Sequence, residues 1–496
     1  MFLYFRMFLI MGVSLYTSRV VLSTLGVEDF GIYNVVGGIV MMFSFLNGSL
    51  GSATSRYITF ELGKKNLIRL NQIFNVALIV HVIIAFFVIL LAETVGLWFF
   101  YEKMVIPADR LTSALWVYQI SILTSFFSIT QVPYNAVIIA RENMKVYAYV
   151  GIVEVLAKLL IVYIIMFSPI DRLVYYAFLL FILQLCTLLY FRYYCINRYQ
   201  ESHFKLCRDK ALFKSIFSYG ASDMIGAISV MAQGQGLNLL LNVFFGPVIN
   251  AARAVAYQVQ GAVTQFSNNF MTAVCPQIIK SYAEGNLKDM WQLVIQSSNF
   301  SYYLMWLICL PIMLETRTIL TLWLGDYPDH TISFMILVLI LCLVQTLKTP
   351  RATIFHAMAK VFWSNITVGV VLCLAFPLAY MFLKLGGTPE SVFWAANISM
   401  IASEFVSVVV LRFFLVFSAP NYFLQVHGRC LLVTIVSSII PYLLFDKIME
   451  PCFLRLIVTC ILTTMSVGIT SLYLGMNKDM RSKLYNMLSS KLHLRK

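Results

Sequence analysis

Eight side chains of this sequence stand where chemistry could be done in an otherwise apolar setting. Lys158 and Glu154 lie one helical turn apart inside an apolar stretch, on one helix face and with the acid first, the order that favours an ion pair. A charge at mid-membrane costs roughly 2.5–3.5 kcal/mol on insertion scales, so the pair needs a reason. Either the two charges neutralise each other and only position a helix, or they face a cavity, where one exchanges its partner for an anionic ligand or a proton. Arg19 and Arg253 sit near corresponding ends of two other apolar stretches. As long cations they can reach lipid headgroups; turned inward, two guanidiniums would form a fork suited to bidentate phosphate binding. Asp223 and Glu404 are isolated acids in apolar surroundings and, with Glu154, are candidates for holding a coupling proton or sodium ion. A hydrogen bond to a neighbouring helix is the competing reading for both. The amides Gln233 and Asn268 complete the set.

Enzyme motifs are missing. There is no G-x-x-x-x-G-K-[ST] for nucleotide phosphates, no H-E-x-x-H and no G-x-S-x-G, and the six His are scattered without ligand spacing. The ten Cys are singletons without a C-x-x-C pair and read as small apolar packers. No metal or other cofactor is called for, and an enzyme is disfavoured.

The elements that must carry these residues follow from composition. Of 496 residues 60% are hydrophobic and 12% charged, and the mean hydropathy is +0.83. Soluble domains carry about 25% charged residues, so a soluble globular protein is excluded. Stretches such as 76–91 and 332–344 are apolar on every face, which distinguishes helices from the alternating strands of a membrane barrel. At about 20 residues per crossing, spans fall at 3–25, 30–62, 70–100, 111–140, 147–167 and 172–196, then at 211–245, 250–279, 290–323, 330–357, 362–383 and 389–416, with two more at 426–445 and 451–475. This predicts an all-α polytopic membrane protein of about fourteen transmembrane helices. Its parts are an N-terminal six-helix lobe (1–196), a cytoplasmic linker (197–210), a second six-helix lobe (211–416), two additional helices (426–475) and a basic cytoplasmic tail (476–496). With the N-terminus cytoplasmic, 25 Lys and Arg in the loops, at the span ends and in the tail fall on that side and seven on the other, which fixes the expected orientation with both termini inside. The net charge of +14 is then contact with anionic lipid, and no nucleic-acid partner is inferred from it. The first span lacks a basic leader and a small-residue cleavage site, and is expected to be a retained helix.

Sliding the sequence on itself by 220 residues aligns Gly26-Val27 with Gly246-Pro247, Ser52-Ala53 with Thr272-Ala273, and Asn66-Leu67 with Asn286-Leu287. An offset of 217 pairs Pro133 with Pro350 and Ala140 with Ala357. A separation of six spans makes the halves parallel copies about an axis along the membrane normal, an arrangement that belongs mainly to transporters, with the substrate path between the halves. Polar and small residues at helical spacing mark four spans: Gly12, Tyr16, Arg19 and Ser23 in the first; Gly37, Met41, Ser44 and Gly48 in the second; Ser229, Gln233 and Gly236 in the seventh; Arg253, Tyr257, Gly261, Thr264 and Asn268 in the eighth. Such stripes are either helix packing seams or the faces of a wet cavity. The amides Gln233, Gln235, Asn238, Asn242 and Asn268 favour the cavity.

Two N-terminal stretches carry a resemblance. Leu3-Tyr4-Phe5-Arg6, Ser14-Leu15-Tyr16-Thr17-Ser18-Arg19 and Leu25-Gly26-Val27-Glu28-Asp29-Phe30-Gly31-Ile32-Tyr33-Asn34, followed by Ser52-Ala53-Thr54-Ser55-Arg56-Tyr57 and Glu61-Leu62-Gly63, resemble bacterial polysaccharide-biosynthesis membrane proteins. These are the Wzx-type oligosaccharide flippases of the multidrug/oligosaccharidyl-lipid/polysaccharide exporter superfamily. The resemblance implies two six-helix lobes in a V around a central cavity, with two extra C-terminal helices. It also implies the movement of undecaprenyl-diphosphate-linked oligosaccharide units from the cytoplasmic to the periplasmic leaflet of the bacterial inner membrane, for surface polysaccharide such as the O-antigen of lipopolysaccharide. Expected partners are the lipid-linked oligosaccharide, membrane lipids, a coupling H+ or Na+ and the polysaccharide polymerase machinery. Cavity cations in such flippases meet the diphosphate and sugars; Arg19, Arg253 and Lys158 are the candidates here, with Gln233 and Asn268 beside them. Two rivals stand beside this reading. One is a cation-coupled multidrug antiporter of the same superfamily, which Asp223 and Glu404 would suit. The other is a membrane polysaccharide polymerase or ligase, for which Glu28, Asp29 or Arg317 would be the residues to test.

Overall fold

The computed structural model describes residues 2–41, 66–205 apart from 142 and 169, 209–214 apart from 211, 228–448 apart from 359, and 453–476, with scattered positions between 51 and 62 and at 226 and 481. Among the described residues every regular element is helical. Among the described residues eleven helices are long and apolar enough to cross a membrane. In hydrocarbon a helix is the element that pairs its own backbone groups, so long apolar runs without turn residues fold this way. The helices are α1 (Phe2–Met41), α2 (Leu67–Glu102), α3 (Leu111–Ala140), α4 (Met144–Met166), α5 (Arg172–Arg198), α6 (Ile228–Phe245), α7 (Pro247–Ala283), α8 (Leu287–Leu314), α9 (Thr316–Leu324), α10 (Thr331–Ala357), α11 (Phe362–Lys384), α12 (Glu390–Arg412), α13 (Ala419–Leu443) and α14 (Phe453–Gly475).

The expected fourteen spans are not reproduced as a count. The first and second fall on α1 and on residues beyond 41, most of which lie outside the described ones. The eighth is α7, a 37-residue helix whose polar row makes it less apolar than the eleven. The ninth ends sooner than expected: α8 stops at Leu314, and Glu315 separates it from the short α9.

The internal repeat is visible in the backbone. Gly246 joins α6 to α7 at φ 81° and ψ −177°, and Gly26 interrupts α1 at φ 80° and ψ 168°. This region of backbone space is essentially open to glycine alone. At Gly246 the chain folds back on itself. The Asn250 amide donates to the Asn238 carbonyl at 2.7 Å and to its Oδ1 at 2.8 Å. Twelve residues along a straight helix would separate these groups by about 18 Å. Forty residues of straight helix in α1 would likewise measure about 60 Å, twice a hydrocarbon core of about 30 Å, and Gly26 is where that length is broken.

The chain divides into two compact units. The first comprises Met1–Val255, Tyr327–Thr331 and Gly369–Ala396. It holds two apolar clusters. One packs Ile32, Val35 and Val36 of α1 against Ala92, Phe100, Ala114, Tyr118 and Leu173. The other joins Phe74, Val80 and Val88 of α2 to Ile129, Tyr134 and Val137 of α3 and to Leu188 and Phe191 of α5. At the Gly26 end of this unit Arg110 bridges two acids. It binds both oxygens of Asp29 and donates to Asp171 at 2.9 Å, while Asp171 also accepts from Ser113 at 2.7 Å and caps α5. At the opposite end Arg141 is held by the buried Glu201 at 2.7 Å.

The second unit comprises Ala256–Asp326, Ile332–Val368 and Asn397–Lys496. One face of α8 docks the last two helices through polar contacts. Asn299 donates to the Gln425 carbonyl, the Tyr302 hydroxyl meets Thr434 at 2.8 Å, and the Trp306 indole donates to Ser437 at 2.8 Å. At the end of the row the buried Glu315 takes two bonds from Arg455 at 2.8 and 3.0 Å and others from Thr459 and Thr318. Among apolar helices in lipid, packing and such interhelical bonds, rather than the hydrophobic effect, decide which faces meet.

Candidate functional site

Lys158 and Glu154 line one cavity of about 330 Å³ within the first unit. Four helices build it: Tyr33 and Gly37 from α1; Ser121, Thr124, Ser125 and Ser128 from α3; the two charges from α4; and Gln184 and Thr187 from α5. The four hydroxyls of α3 recur at three- and four-residue intervals, so one helix face presents all of them. Depth follows from position along the helices. On α3 the first apolar cluster uses residues 114–122, the cavity 120–128 and the second cluster 129–138; on α5 the order is 173–177, 177–187 and 188–195. The cavity is therefore a polar layer at the middle of the helices, with packed apolar layers on either side. Glu154 is half-buried and Lys158 exposed along it. Neither takes part in an ion pair with any described residue, although their spacing would allow one with each other. Gln184 is fixed by donating to Gln131 Oε1 at 2.8 Å, and the Tyr33 ring lies 5.1 Å from that of Tyr176.

The other predicted site residues are dispersed. Arg19 is exposed on α1 in a continuous stripe with Gly12, Tyr16 and Ser23, while the opposite face, with Thr17, Val20, Val21 and Leu22, is buried. Within that stripe the Tyr16 hydroxyl reaches Tyr163 of α4 at 2.8 Å. Arg253 is buried and donates to the Gly234 carbonyl at 2.6 Å. That carbonyl belongs to a π-bulge at Ala232–Gly236, where the widened turn frees backbone oxygens for outside donors. Gln233, in the same bulge, is buried and donates to the Ala396 carbonyl at 3.4 Å. Asn268 is exposed on α7. Asp223 lies outside the described residues.

Two expectations need correction. Glu404 is not isolated: it is buried on α12 and receives both Arg351 nitrogens at 2.8 Å, with Ser407 bound to the same guanidinium at 2.9 Å. Its partner Arg351, near the end of the expected span 330–357, is 1% exposed and sits inside α10. Two amides of the seventh span, expected to wet a cavity, are instead bonded to protein groups near the turn at Gly246. Asn238 is bonded by Asn250, and Asn242 accepts from the Val105 N–H at 3.0 Å. The second half of α1 packs directly on this hairpin. A side chain on Gly31 would stand 2.0 Å from the Pro247 carbonyl oxygen, and one on Gly38 would stand 2.9 Å from Asn238 and Gln235. Sequence reading missed the α3 hydroxyl row, although its spacing in 121–128 was legible, and it missed Glu315, an acid within an apolar span whose partner Arg455 lies 140 residues away.

Comparison with known proteins places this arrangement. The profile of the polysaccharide biosynthesis protein family matches residues 3–282, more than half of the chain, and the chain belongs to that family. No curated protein sequence is matched. Among solved structures it is similar to an inward-facing multidrug resistance MATE family transporter of the MOP superfamily, at 14% identity over 80% of this chain and 94% of that one, with a TM-score of 0.69. The lipid II flippase MurJ, in an inward closed conformation, aligns at 12% identity over 94% and 97% with a TM-score of 0.69. A MOP superfamily transporter from Pyrococcus furiosus, described as having a binding pocket of reversed polarity, aligns at 14% identity over 83% and 95% with a TM-score of 0.61. The fold is thus that of the MOP superfamily, in a multi-pass membrane protein.

Proposed function

We propose that this protein is a flippase that carries undecaprenyl-diphosphate-linked oligosaccharide units from the cytoplasmic to the periplasmic leaflet of a bacterial inner membrane, with both termini cytoplasmic. Two six-helix lobes, 1–196 and 211–416, rock about the repeat axis so that the polar head crosses through protein while the polyprenyl tail stays in lipid. The observation that carries the reading is the polar cavity at mid-helix, in a chain of the polysaccharide biosynthesis family. A hydrophilic head has to cross an apolar layer, and a set of hydroxyls, an amide and two charges at that depth offsets its desolvation. Lys158 contacts the substrate there and Arg19 serves it along the exposed face of α1. Arg253, Gln233 and Asn268 act on either side of the Gly246 turn. Glu154 is the favoured site for a coupling H+ or Na+, since Glu404 is already engaged by Arg351.

The test is deletion of the gene followed by mass spectrometry of lipid-linked oligosaccharides resolved by leaflet. Complete single units trapped on the cytoplasmic face are expected. Units that reach the periplasmic face unpolymerised would mean a polymerase. An unchanged lipid pool would point to the antiporter reading, which the cavity carboxylate Glu154 otherwise favours.

A further inference from the structure

The flippase reading leaves open which part of the substrate the α3–α4–α5 cavity takes. We infer that it receives a neutral pyranose ring of the oligosaccharide and not the diphosphate; the inference rests on that reading for its biological meaning but not for its chemistry. The lining carries one cation and one anion, Lys158 and Glu154, so its formal charge is zero. A diphosphate diester is doubly anionic and offers only acceptors. In this cavity it would meet Lys158 on one side and the Glu154 carboxylate, an acceptor with nothing to donate, on the other. At mid-membrane depth, with apolar layers above and below, that repulsion is weakly screened.

A sugar ring has the opposite needs. Each of its hydroxyls both donates and accepts, so a complete match requires donors and acceptors side by side. Glu154 accepts from ring hydroxyls, Lys158 donates to them, and Ser121, Ser125, Ser128 and Gln184 can do either. The charge-assisted bonds to Glu154 and Lys158 would be the strongest of these. Keeping the two charges unjoined, despite a spacing that permits an ion pair, leaves both available to the ligand. The Tyr33 ring in the same lining supplies an apolar face for the ring's C–H groups. A volume of about 330 Å³ lies at the small end of ligand pockets and suits one or two rings rather than a whole oligosaccharide.

The experiment uses the full chain in lipid nanodiscs. Saturation-transfer NMR is recorded with a panel of neutral methyl pyranosides, including glucoside, galactoside and N-acetylglucosaminide, and with inorganic pyrophosphate as competitor. At least one pyranoside should show saturation transfer, reduced at least fivefold by Glu154→Gln and by Lys158→Gln, and excess pyrophosphate should not displace it. Glu154→Gln should also gain pyrophosphate binding at least tenfold, because the cavity then becomes net positive. Circular dichroism melts of both variants check that they remain folded. The inference is overturned if no pyranoside binds, if the variants bind as the unmodified protein does, or if pyrophosphate displaces the sugar from the unmodified cavity. Leaflet-resolved lipid analysis of the deletion strain separates the two readings. Sugar binding in a strain whose lipid pool is unchanged would sink the flippase reading and leave the pocket assignment standing, and trapped units without sugar binding would do the reverse.

Discussion

Each of the two units places an acid and a base among apolar helices, with opposite outcomes. In the first, Glu154 and Lys158 stand four residues apart on one helix and remain unjoined beside a cavity. In the second, Glu404 and Arg351 are 53 residues apart on different helices and form a two-pronged pair that is almost fully buried. The local pair gains only about 0.3–0.5 kcal/mol from its spacing, so a hydroxyl-rich lining competes with it easily. In the distant pair the Ser407 hydroxyl binds the third guanidinium nitrogen and leaves the two-pronged contact with Glu404 intact, and once both charges have left water, separating them removes most of their compensation. One pair is therefore available to a ligand and the other is part of the scaffold.

The most damaging way to break this contrast is Arg351→Met. It leaves Glu404 buried with, among the described residues, only the His427 ring within ion-pair range, 4.0 Å away, and a loss of about 3–5 kcal/mol is expected, seen as a large drop in the melting temperature or in recoverable monodisperse protein. The double variant Arg351→Met with Glu404→Leu should recover most of that loss; a single variant as stable as the unmodified protein would remove the scaffold role.

Next in size are the turns. Gly26→Ala and Gly246→Ala should each cost about 1–3 kcal/mol, because alanine is strained at these dihedrals. Gly12→Ala is the control, on an open helical face with nothing within 4 Å of the new methyl. Unequal losses at the two turn glycines would contradict their equivalence in the repeat.

Lys158→Gln should sharpen the contrast from the other side. Its effect on stability is expected to stay within about 0.5 kcal/mol, as for a partly exposed side chain without a partner, while export of lipid-linked oligosaccharide falls by tenfold or more. A large melting shift with normal export would reverse the assignment.

The smallest effect concerns Asp171. Its burial raises the carboxyl pKa, but the Ser113 hydroxyl, the Val174 N–H and Arg110 outweigh that and hold it below the ordinary 3.8. A depressed folded-state value stabilises the fold fully above that ordinary value, and the contribution is lost as the pH falls through the lowered one. Asp171→Asn should therefore flatten the acid limb of the stability curve and leave its neutral plateau lowered. An unchanged acid limb would show that Asp171 does not titrate with unfolding.

Much of this architecture is legible in the sequence. The run from Leu111 to Ala140 gives α3 to the residue, because long apolar stretches flanked by polar residues leave little freedom in lipid. The alignment of Gly26-Val27 with Gly246-Pro247 leads directly to the two turns, since only glycine tolerates their dihedrals. The site is less readable. Glu154 and Lys158 are found by depth alone, but whether they pair with each other is decided by α3 and α5, which no spacing on α4 reveals. Arg351 and Arg455 lie near the ends of expected spans, where a snorkelling cation and a buried one look alike in sequence. Their acids, Glu404 and Glu315, lie 53 and 140 residues away, so nothing local announces the match.

The one-residue connection at Gly246 also bears on how the chain enters the bilayer during synthesis. It leaves no loop to separate α6 from α7, so the two are expected to enter the bilayer as a ready-made hairpin. α7 is less apolar than α6, and its buried Arg253 and Asn250 are already matched by the carbonyls of α6. The apolar helix thus carries the polar one into lipid, and an epitope or protease site inserted at this turn would interfere with insertion itself rather than report on topology.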